Sequence, residues 1–397
     1  MSSKKILVVN AGSSSIKTQL FEKDTLKVIA NGLTERIFLP DGKITIKFNG
    51  EIYDDVLELP NHTVAVAETL KMMQNINLIN NPEEIEIIGF RVVHGGPYFN
   101  QSVILNDEVL KLIDKCSKFA PLHNPGAIQA IEAFKKAMPN AILTASFDTS
   151  FHSTIPDINS IYPIPYEWTK KYNIKKYGFH GISHNFIKNK IEEILKIKHP
   201  NIISLHIGSG ASICAIKEGK SFDTSMGFTP LAGIMMGTRS GDIDPSIIEF
   251  ICENEKITVQ EATAALNKKS GLLGVSQFSN DTRDISKAID EGNYQAKFTN
   301  DLFVQKIVNY VAEYANKLEN KIDAIVFTAG VGENSPKLRK EVCDKLFFKK
   351  INLNEIENNK KIAEYSLISN PSSEIKIFVI RTNEELMIAQ DALKLTK

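Results

Sequence analysis

Two arginines stand where a cation is costly. Arg91 lies in GFRVVHGG and Arg239 in MMGTRSGD, each among small or apolar neighbours. A guanidinium in such a setting needs an anion. That anion is either an internal carboxylate, in a structural ion pair, or a ligand. Asp148 closes the apolar run AILTASF. It can orient an arginine, hold a divalent cation through water, act as a base, or cap a turn. His180 sits between Gly178 and Gly181 and can donate to a phosphoryl oxygen, although a lone histidine is more often a satisfied core residue. The same two readings apply to His123 and His206. Glu384 can hold a cation, but an acid in the first turn of a helix is favoured in any case. Asn10 can assist it or close a turn. Asp281-Thr282-Arg283 fits a ribose or base, or a surface turn.

Three glycine-rich turns accompany these residues. Ile6 to Lys17 reads ILVVNAGSSSIK, a β-branched strand running into small polar residues and then a cation. Free backbone N–H groups and hydroxyls beside a point charge form a phosphate cradle, or else a serine-rich hairpin. The spacing is not that of a P-loop. Ile202 to Ser212, IISLHIGSGAS, repeats the arrangement, and Ala324 to Ser335, AIVFTAGVGENS, gives a third strand and glycine turn. Three such loops point to a site walled by phosphate-facing turns. The likeness of the first two points to two similar domains facing a cleft. With two arginines added, the chemistry is a clamp on a carboxylate and a transferring phosphoryl group.

The elements that must hold these residues are legible in outline. Leu26 to Phe48 alternates as strands, with Asp41-Gly42 as a hairpin turn. Helical spacing covers Asn61 to Asn75, Asp107 to Phe119, Gly126 to Met138, the stretch up to about Ile197, and Asp301 to Leu318. Strands are expected over Ile85 to Val93, Ala141 to Phe147 and Ile375 to Ile380. Ser153 to Lys176 shows no period and reads as a long connection at the domain boundary. Asp223 to Pro245 has glycine and proline too often for a helix, yet is too apolar for disorder, so it is an ordered functional loop. Thr382 with Glu385 fits a capping box before the last helix.

Composition narrows the function. A chain of 397 residues, 43% hydrophobic and 24% charged, is a globular protein of two domains. Lys+Arg and Asp+Glu are equal at 47 each, so no general field draws it to nucleic acid or an anionic membrane. The short apolar N-terminal run is not a signal peptide, and no later run spans a bilayer. Cys116, Cys214, Cys252 and Cys343 are far apart and read as free thiols in a reducing cytoplasm.

The ordered motifs VVNAGSSSIK, RVVHGG, APLHNPGAI, FDTSFH, YGFHGISH, HIGSGAS, DTSMGFTPLAGIMMGTRSGDIDP, SGLLGVS, FTAGVGENS and RTNEELMIAQDA run the length of the chain. Through them the chain resembles the acetokinase family, of the acetate and sugar kinase, heat-shock chaperone and actin superfamily. The resemblance implies an α/β fold of two ribonuclease-H-like (actin-like ATPase) domains with an interdomain active-site cleft. The first domain spans 1–149 and is completed by a C-terminal helix, 384–397. The second, 150–383, binds nucleotide and forms a homodimer. The implied reaction is ATP + acetate ⇌ ADP + acetyl phosphate, by direct in-line transfer with Mg²⁺ (or Mn²⁺). Asn10 and Glu384 match metal positions, and Lys17 a nucleotide phosphate contact. Arg91 matches the acyl-substrate arginine, Asp148 the catalytic acid, and His180 and Arg239 the transition-state stabilisers. Val93, Leu122, Phe179 and Pro230 match a small pocket for the acetate methyl. ATP would face His206, Ile207, Gly208, Ser209 and Gly210, then Asp281, Thr282 and Arg283, then Gly330, Val331, Gly332, Glu333 and Asn334. Ser209 departs from the family's usual Asn, so its phosphate contact is weaker or water-bridged. The alternatives are a propionate kinase, or a superfamily ATPase acting as chaperone or filament protein. The second would not need two arginines for a small acid. A cytoplasmic protein without nucleic-acid or membrane partners is expected.

Overall fold

The computed structural model describes residues 4–121 and 123–397. The chain divides into two compact units, residues 1–151 with 383–397, and residues 152–382.

In the first unit the strands are β1 (Lys5–Ala11), β2 (Ser15–Glu22), β3 (Val28–Glu35), β4 (Gly42–Phe48), β5 (Glu51–Leu57), β6 (Ile85–Val92), β7 (Val103–Ile104) and β8 (Ile142–Phe147). Its helices are α1 (His62–Asn75), α2 (Asp107–Lys115) and α3 (Asn124–Ala137), with a C-terminal helix over Glu384–Leu395. The sheet order is β5-β4-β3-β2-β1-β6-β8-β7. Strands β1, β6 and β8 are parallel neighbours, and the others pair antiparallel. The side chains of β6 alternate between the faces of the sheet. Phe90 meets Phe134 of α3 edge to face on one side. Gly89 faces the other, where a Cβ would lie 2.8 Å from Ile388 Cγ2, so the C-terminal helix needs glycine there to close on the strand.

The second unit contains α4 (Asp157–Ser160), α5 (Tyr166–Tyr172), α6 (Gly181–Leu195), β9 (Ile202–Ile207), β10 (Ala211–Lys217) and β11 (Lys220–Thr224). Then come α7 (Ser246–Glu255), α8 (Val259–Lys268), α9 (Gly271–Ser276), α10 (Thr282–Asp290) and the long α11 (Tyr294–Lys317). The unit ends with β12 (Ala324–Thr328), α12 (Ala329–Asn334), α13 (Pro336–Cys343), α14 (Glu355–Asn359), β13 (Tyr365–Leu367) and β14 (Lys376–Ile380). Its sheet runs β11-β10-β9-β12-β14-β13, with β9, β12 and β14 parallel. The run β3-β2-β1-β6-β8 of the first sheet therefore has the same order and sense as β11-β10-β9-β12-β14 of the second. The internal repeat read from ILVVNAGSSS and IISLHIGSGAS is a repeat of fold. Among the described residues no helix is long and apolar enough to cross a membrane. All four cysteines are free thiols.

Several expectations need correction. Asp41-Gly42 is not a two-residue hairpin: β3 and β4 are joined over residues 36–41, with Arg36 and Phe38 at positive φ. The tight hairpin is Asn49-Gly50, both at positive φ, and it leads into β5. The stretch 153–176 carries two short helices, α4 and α5. The third glycine run is helical, not a turn, because the Glu333 carboxylate accepts the Ala329 N–H at 2.9 Å. The last helix is capped by Asn383, whose Oδ1 accepts the Leu386 N–H at 2.9 Å. The Thr382 hydroxyl is engaged with Ser183 at 2.7 Å instead.

One buried cation stabilises the second unit through carbonyl and amide oxygens, with no carboxylate partner among the described residues. Arg339 is 1% exposed. It donates to Asn358 Oδ1 and O at 2.7 and 2.5 Å, and to the carbonyls of Gly332 and Glu333 at 2.9 Å each. Burial pulls this guanidinium down to about 10. Arg339→Ala would strand those acceptors and open a cavity, so unfolding in urea should show a loss of about 3 kcal/mol or more. A midpoint unchanged from wild type would refute this account.

Candidate active site

The first cluster lies in the first unit. Arg91 is on β6 and pairs in register with Ser146 of β8. Asp148 follows one residue beyond β8, its N–H held by the Val92 carbonyl at 3.1 Å. Parallel pairing thus brings the two side chains together across 57 residues of sequence. Arg91 donates through Nε and NH2 to both Asp148 oxygens, at 2.8 and 2.7 Å. The ion pair weighed for Arg91 from its sequence setting is therefore present. It does not use the whole guanidinium: the Arg91 side chain remains 19% exposed against 2% for Asp148, and Asp148 engages only Nε and NH2. Burial alone would lower Arg91, but Asp148, Glu384 and Glu385 hold it above the ordinary arginine range.

Glu384 begins the C-terminal helix, which packs on β6, β1 and β8. Its Oε1 is buried without a hydrogen-bond partner. Burial pushes its carboxyl up to about 7, Arg91 opposing and Asp148 and Glu385 adding to the rise. A buried, unmated carboxylate oxygen beside a second carboxylate fits a hard divalent cation, which takes oxygen ligands. Asn10 on β1 pairs in register with Lys17 on β2, and Lys17 is exposed. The β1–β2 turn is closed by Gly12 N–H to Ser15 O at 2.8 Å. At the head of α3, a Cβ on Gly126 would lie 2.7 Å from the Gly12 carbonyl.

The second cluster lies in the second unit. His180 caps α6 in the left-handed region, φ 57°, two residues after Gly178 at φ 72°. Its ring stacks on His206 with centroids 4.1 Å apart. Arg239 emerges from the loop after β11, where the Met236 N–H meets the Arg239 carbonyl at 3.1 Å. The Arg239 side chain is half-buried, donates to the Pro230 carbonyl at 3.1 Å, and has no carboxylate partner among the described residues. Burial lowers it from the usual arginine range. The loop also grips the β9–β10 turn, Gly237 N–H donating to Ser209 O at 3.0 Å. A Cβ on Gly210 would lie 3.5 Å from Arg239 NH1 and 3.8 Å from His180 Nε2. Arg239, His180 and this glycine turn therefore share one small space.

Beside that turn is a cavity of about 520 Å³. Gly208, Ser209, Asp281, Thr282, Arg283, Gly330, Val331 and Asn334 line it. Three segments far apart in sequence thus converge on one cavity. His206, Ile207, Gly210, Gly332 and Glu333 are not among its lining residues. Glu333 is occupied internally, its carboxylate taking the N–H groups of Ala329 and Thr382. Asp281 caps α10 and binds Arg283 through both oxygens, which holds its carboxyl down at about 2. Asn280, Ser286 and Lys337 also line the cavity. No residue-type signal marked them; each lies within a few positions of a segment that was marked.

Of the residues that the resemblance matches to a methyl pocket, Val93 is half-buried in the first unit, and Phe179 is buried and Pro230 half-buried in the second. Leu122 lies outside the described residues.

Comparison with known proteins agrees with this reading. Residues 5–390 match the model of the acetokinase family. An acetate kinase of Mycoplasmopsis pulmonis is 56% identical over 98% of this chain and 99% of its own length. The crystal structure of Porphyromonas gingivalis acetate kinase superposes with a TM-score of 0.95 at 39% identity, each chain covered completely. A propionate kinase from Francisella tularensis superposes at 0.92 with 42% identity, covering 99% of this chain and all of that one.

Proposed function

This chain belongs to the acetokinase family, and from that premise we propose how its residues carry the activity. It is a phosphotransferase with a carboxyl group as acceptor, an acetate kinase that moves a phosphoryl group between ATP and acetate. The observation that supports the assignment of residues most strongly is Arg239. It is a half-buried guanidinium with no carboxylate partner among the described residues, beside His180 and the glycine turn at Gly210.

The nucleotide occupies the 520 Å³ cavity, its base and ribose against Asp281 to Arg283 and the start of α12. Its phosphates run along the turn at Gly208 to Gly210, with Lys17 as a further contact. Ser209 offers one short hydroxyl there. Arg239 and His180 donate to the phosphoryl oxygens as charge shifts in the in-line transfer. Arg91 receives the acetate carboxylate through NH1, the part of its fork that Asp148 leaves unused. Carboxylic acids ionise with a pKa of about 4–5, so acetate at neutral pH is already the anion and needs no base. Asp148 therefore works by holding Arg91 in place. Mg²⁺, or Mn²⁺ in its stead, would be held by Asn10 and Glu384 and would neutralise charge on the phosphates. We assign nucleotide binding to the second unit, which also forms the homodimer; its α7 presents Ile247 and Phe250 to solvent. The protein works in the cytoplasm.

Trapping acetyl phosphate as the hydroxamate tests the reading. ADP formation should depend on added acetate. ATP hydrolysis indifferent to acetate would return the chain to the chaperone-like ATPases. The resemblance matches Val93, Phe179 and Pro230 to a small apolar pocket for a methyl group, and one methylene is worth about 1–3 kcal/mol in such a pocket. Propionate should thus be used with kcat/KM lower by about 10- to 100-fold. A higher value for propionate would favour a propionate kinase.

A further inference from the structure

The Nδ1 atom of His180 enters a buried chain of hydroxyls and imidazoles. Ser212 Oγ on β10 lies 2.9 Å from His180 Nδ1 and 2.9 Å from His184 Nε2. On the other side of that ring, His184 Nδ1 lies 2.9 Å from Ser204 Oγ on β9. His184, Ser204 and Ser212 are wholly buried. Burial, aided by His152 and His206, pushes His184 well below the ordinary histidine range, so its ring is neutral. A neutral imidazole has one N–H and one acceptor nitrogen, and each hydroxyl has one proton to give.

These counts leave one arrangement that uses every proton. Among the described residues Ser204 Oγ has His184 Nδ1 as its single partner, so its proton is used only if Ser204 donates there. The His184 hydrogen is then on Nε2 and is given to Ser212. Ser212 in turn gives its own proton to His180 Nδ1. The hydrogen of His180 is left on Nε2. Reversing the chain would leave a buried Ser204 proton with no acceptor, which folded proteins avoid. The Cε1–Nε2 edge of His180 is also the one that faces Gly210, each atom 3.8 Å from where a Cβ there would lie, with Arg239 NH1 3.5 Å from the same point.

We propose that Ser204, His184 and Ser212 are positioning residues that hold His180 as its Nε2–H tautomer, so that it meets the transferring phosphoryl group as a donor. The proposal rests on the assignment of His180 to that group. It adds that the donor is selected from behind, by residues that never touch substrate. An imidazole of the other tautomer would turn a lone pair toward phosphoryl oxygen and repel it.

The test is a long-range proton–nitrogen correlation spectrum of the full chain labelled with ¹⁵N-histidine, recorded above the histidine titration range. A His180→Asn variant identifies the resonance. The wild-type ring should give the Nε2–H signature. Ser212→Ala should lose that preference and lower kcat by about 10- to 100-fold, less than deleting a transition-state donor outright. KM for ATP and for acetate should stay near wild type, and Ser212→Thr, which restores the hydroxyl, should recover both spectrum and kcat. An Nδ1–H signature in the wild-type enzyme, or wild-type kcat in a folded Ser212→Ala, overturns the proposal. Should Ser212→Ala not fold, the wild-type spectrum decides alone. If instead His180→Ala keeps full kcat, the assignment of His180 to the phosphoryl group is what fails, whichever tautomer the spectrum reports.

Discussion

Replacing Arg239 with alanine should lower kcat by about 10³-fold while ATP still binds. Arg239 is not among the residues lining the nucleotide cavity, so the base and ribose contacts survive its loss. On the proposed assignment, what disappears is a charge placed where the phosphoryl group passes. The side chain donates to the Pro230 carbonyl and to Met236 Sδ and has no carboxylate partner among the described residues, so removing it strands no buried acid there and should cost little stability. Arg239→Lys should recover only part of the rate, because an ammonium cannot offer a planar fork. Single-turnover rates with equilibrium nucleotide binding separate the two effects. An Arg239→Ala enzyme within tenfold of wild-type kcat would contradict the assignment.

Arg91→Ala should fail differently, in stability as well as turnover. Its loss leaves Asp148, almost wholly buried, facing Glu384 with no cation between them. Breaking a buried pair from one side costs about 3–5 kcal/mol, and the partial exposure of Arg91 puts the expected loss at the lower end. Turnover should fall by about 10³-fold, and KM for acetate should rise. Asp148→Ala should also destabilise, since it leaves Arg91 buried without its counter-ion. The double variant should regain much of the stability and none of the activity. A double-mutant cycle by denaturant unfolding and initial rates reads both. Additive stability losses would show that the pair is not coupled.

The chain disclosed its strands and glycine turns because their chemistry is local. Ile6 to Val9 and Ile202 to Ile207 are buried throughout, and β-branched runs followed by glycine announce such strands. Arg239 was legible because its immediate neighbours are small; the nearest acid in sequence, Asp242, is taken by the Gly233 N–H and Tyr310, and no other carboxylate among the described residues pairs with the guanidinium. Strand β5 was not legible: EIYDDVL is exposed on both faces at a sheet edge, so no alternation marks it. The helix α12 was hidden because glycine argues against helix, and the group that stabilises it is the Glu333 carboxylate folding back on Ala329. The Thr-x-x-Glu pattern misled at Thr382, whose hydroxyl is claimed by Ser183 from 199 residues away. The same pattern is a true capping box at Thr258 and Glu261. Partners fixed by pairing of distant strands, such as Asp148 for Arg91, cannot be read from spacing at all.

The C-terminal helix gives the order of synthesis a bearing on activity. Residues 1–151 leave the ribosome first, yet the strip of β6 at Gly89 stays bare until Ile388 arrives to cover it. Glu384 arrives with the same helix. A chain stopped before residue 383 would have every strand of its first sheet and still lack both the cover for that strip and the carboxylate beside Asp148. Chains stopped before residue 383 should therefore be sticky and, on the proposed role of Glu384, unable to hold the metal ion.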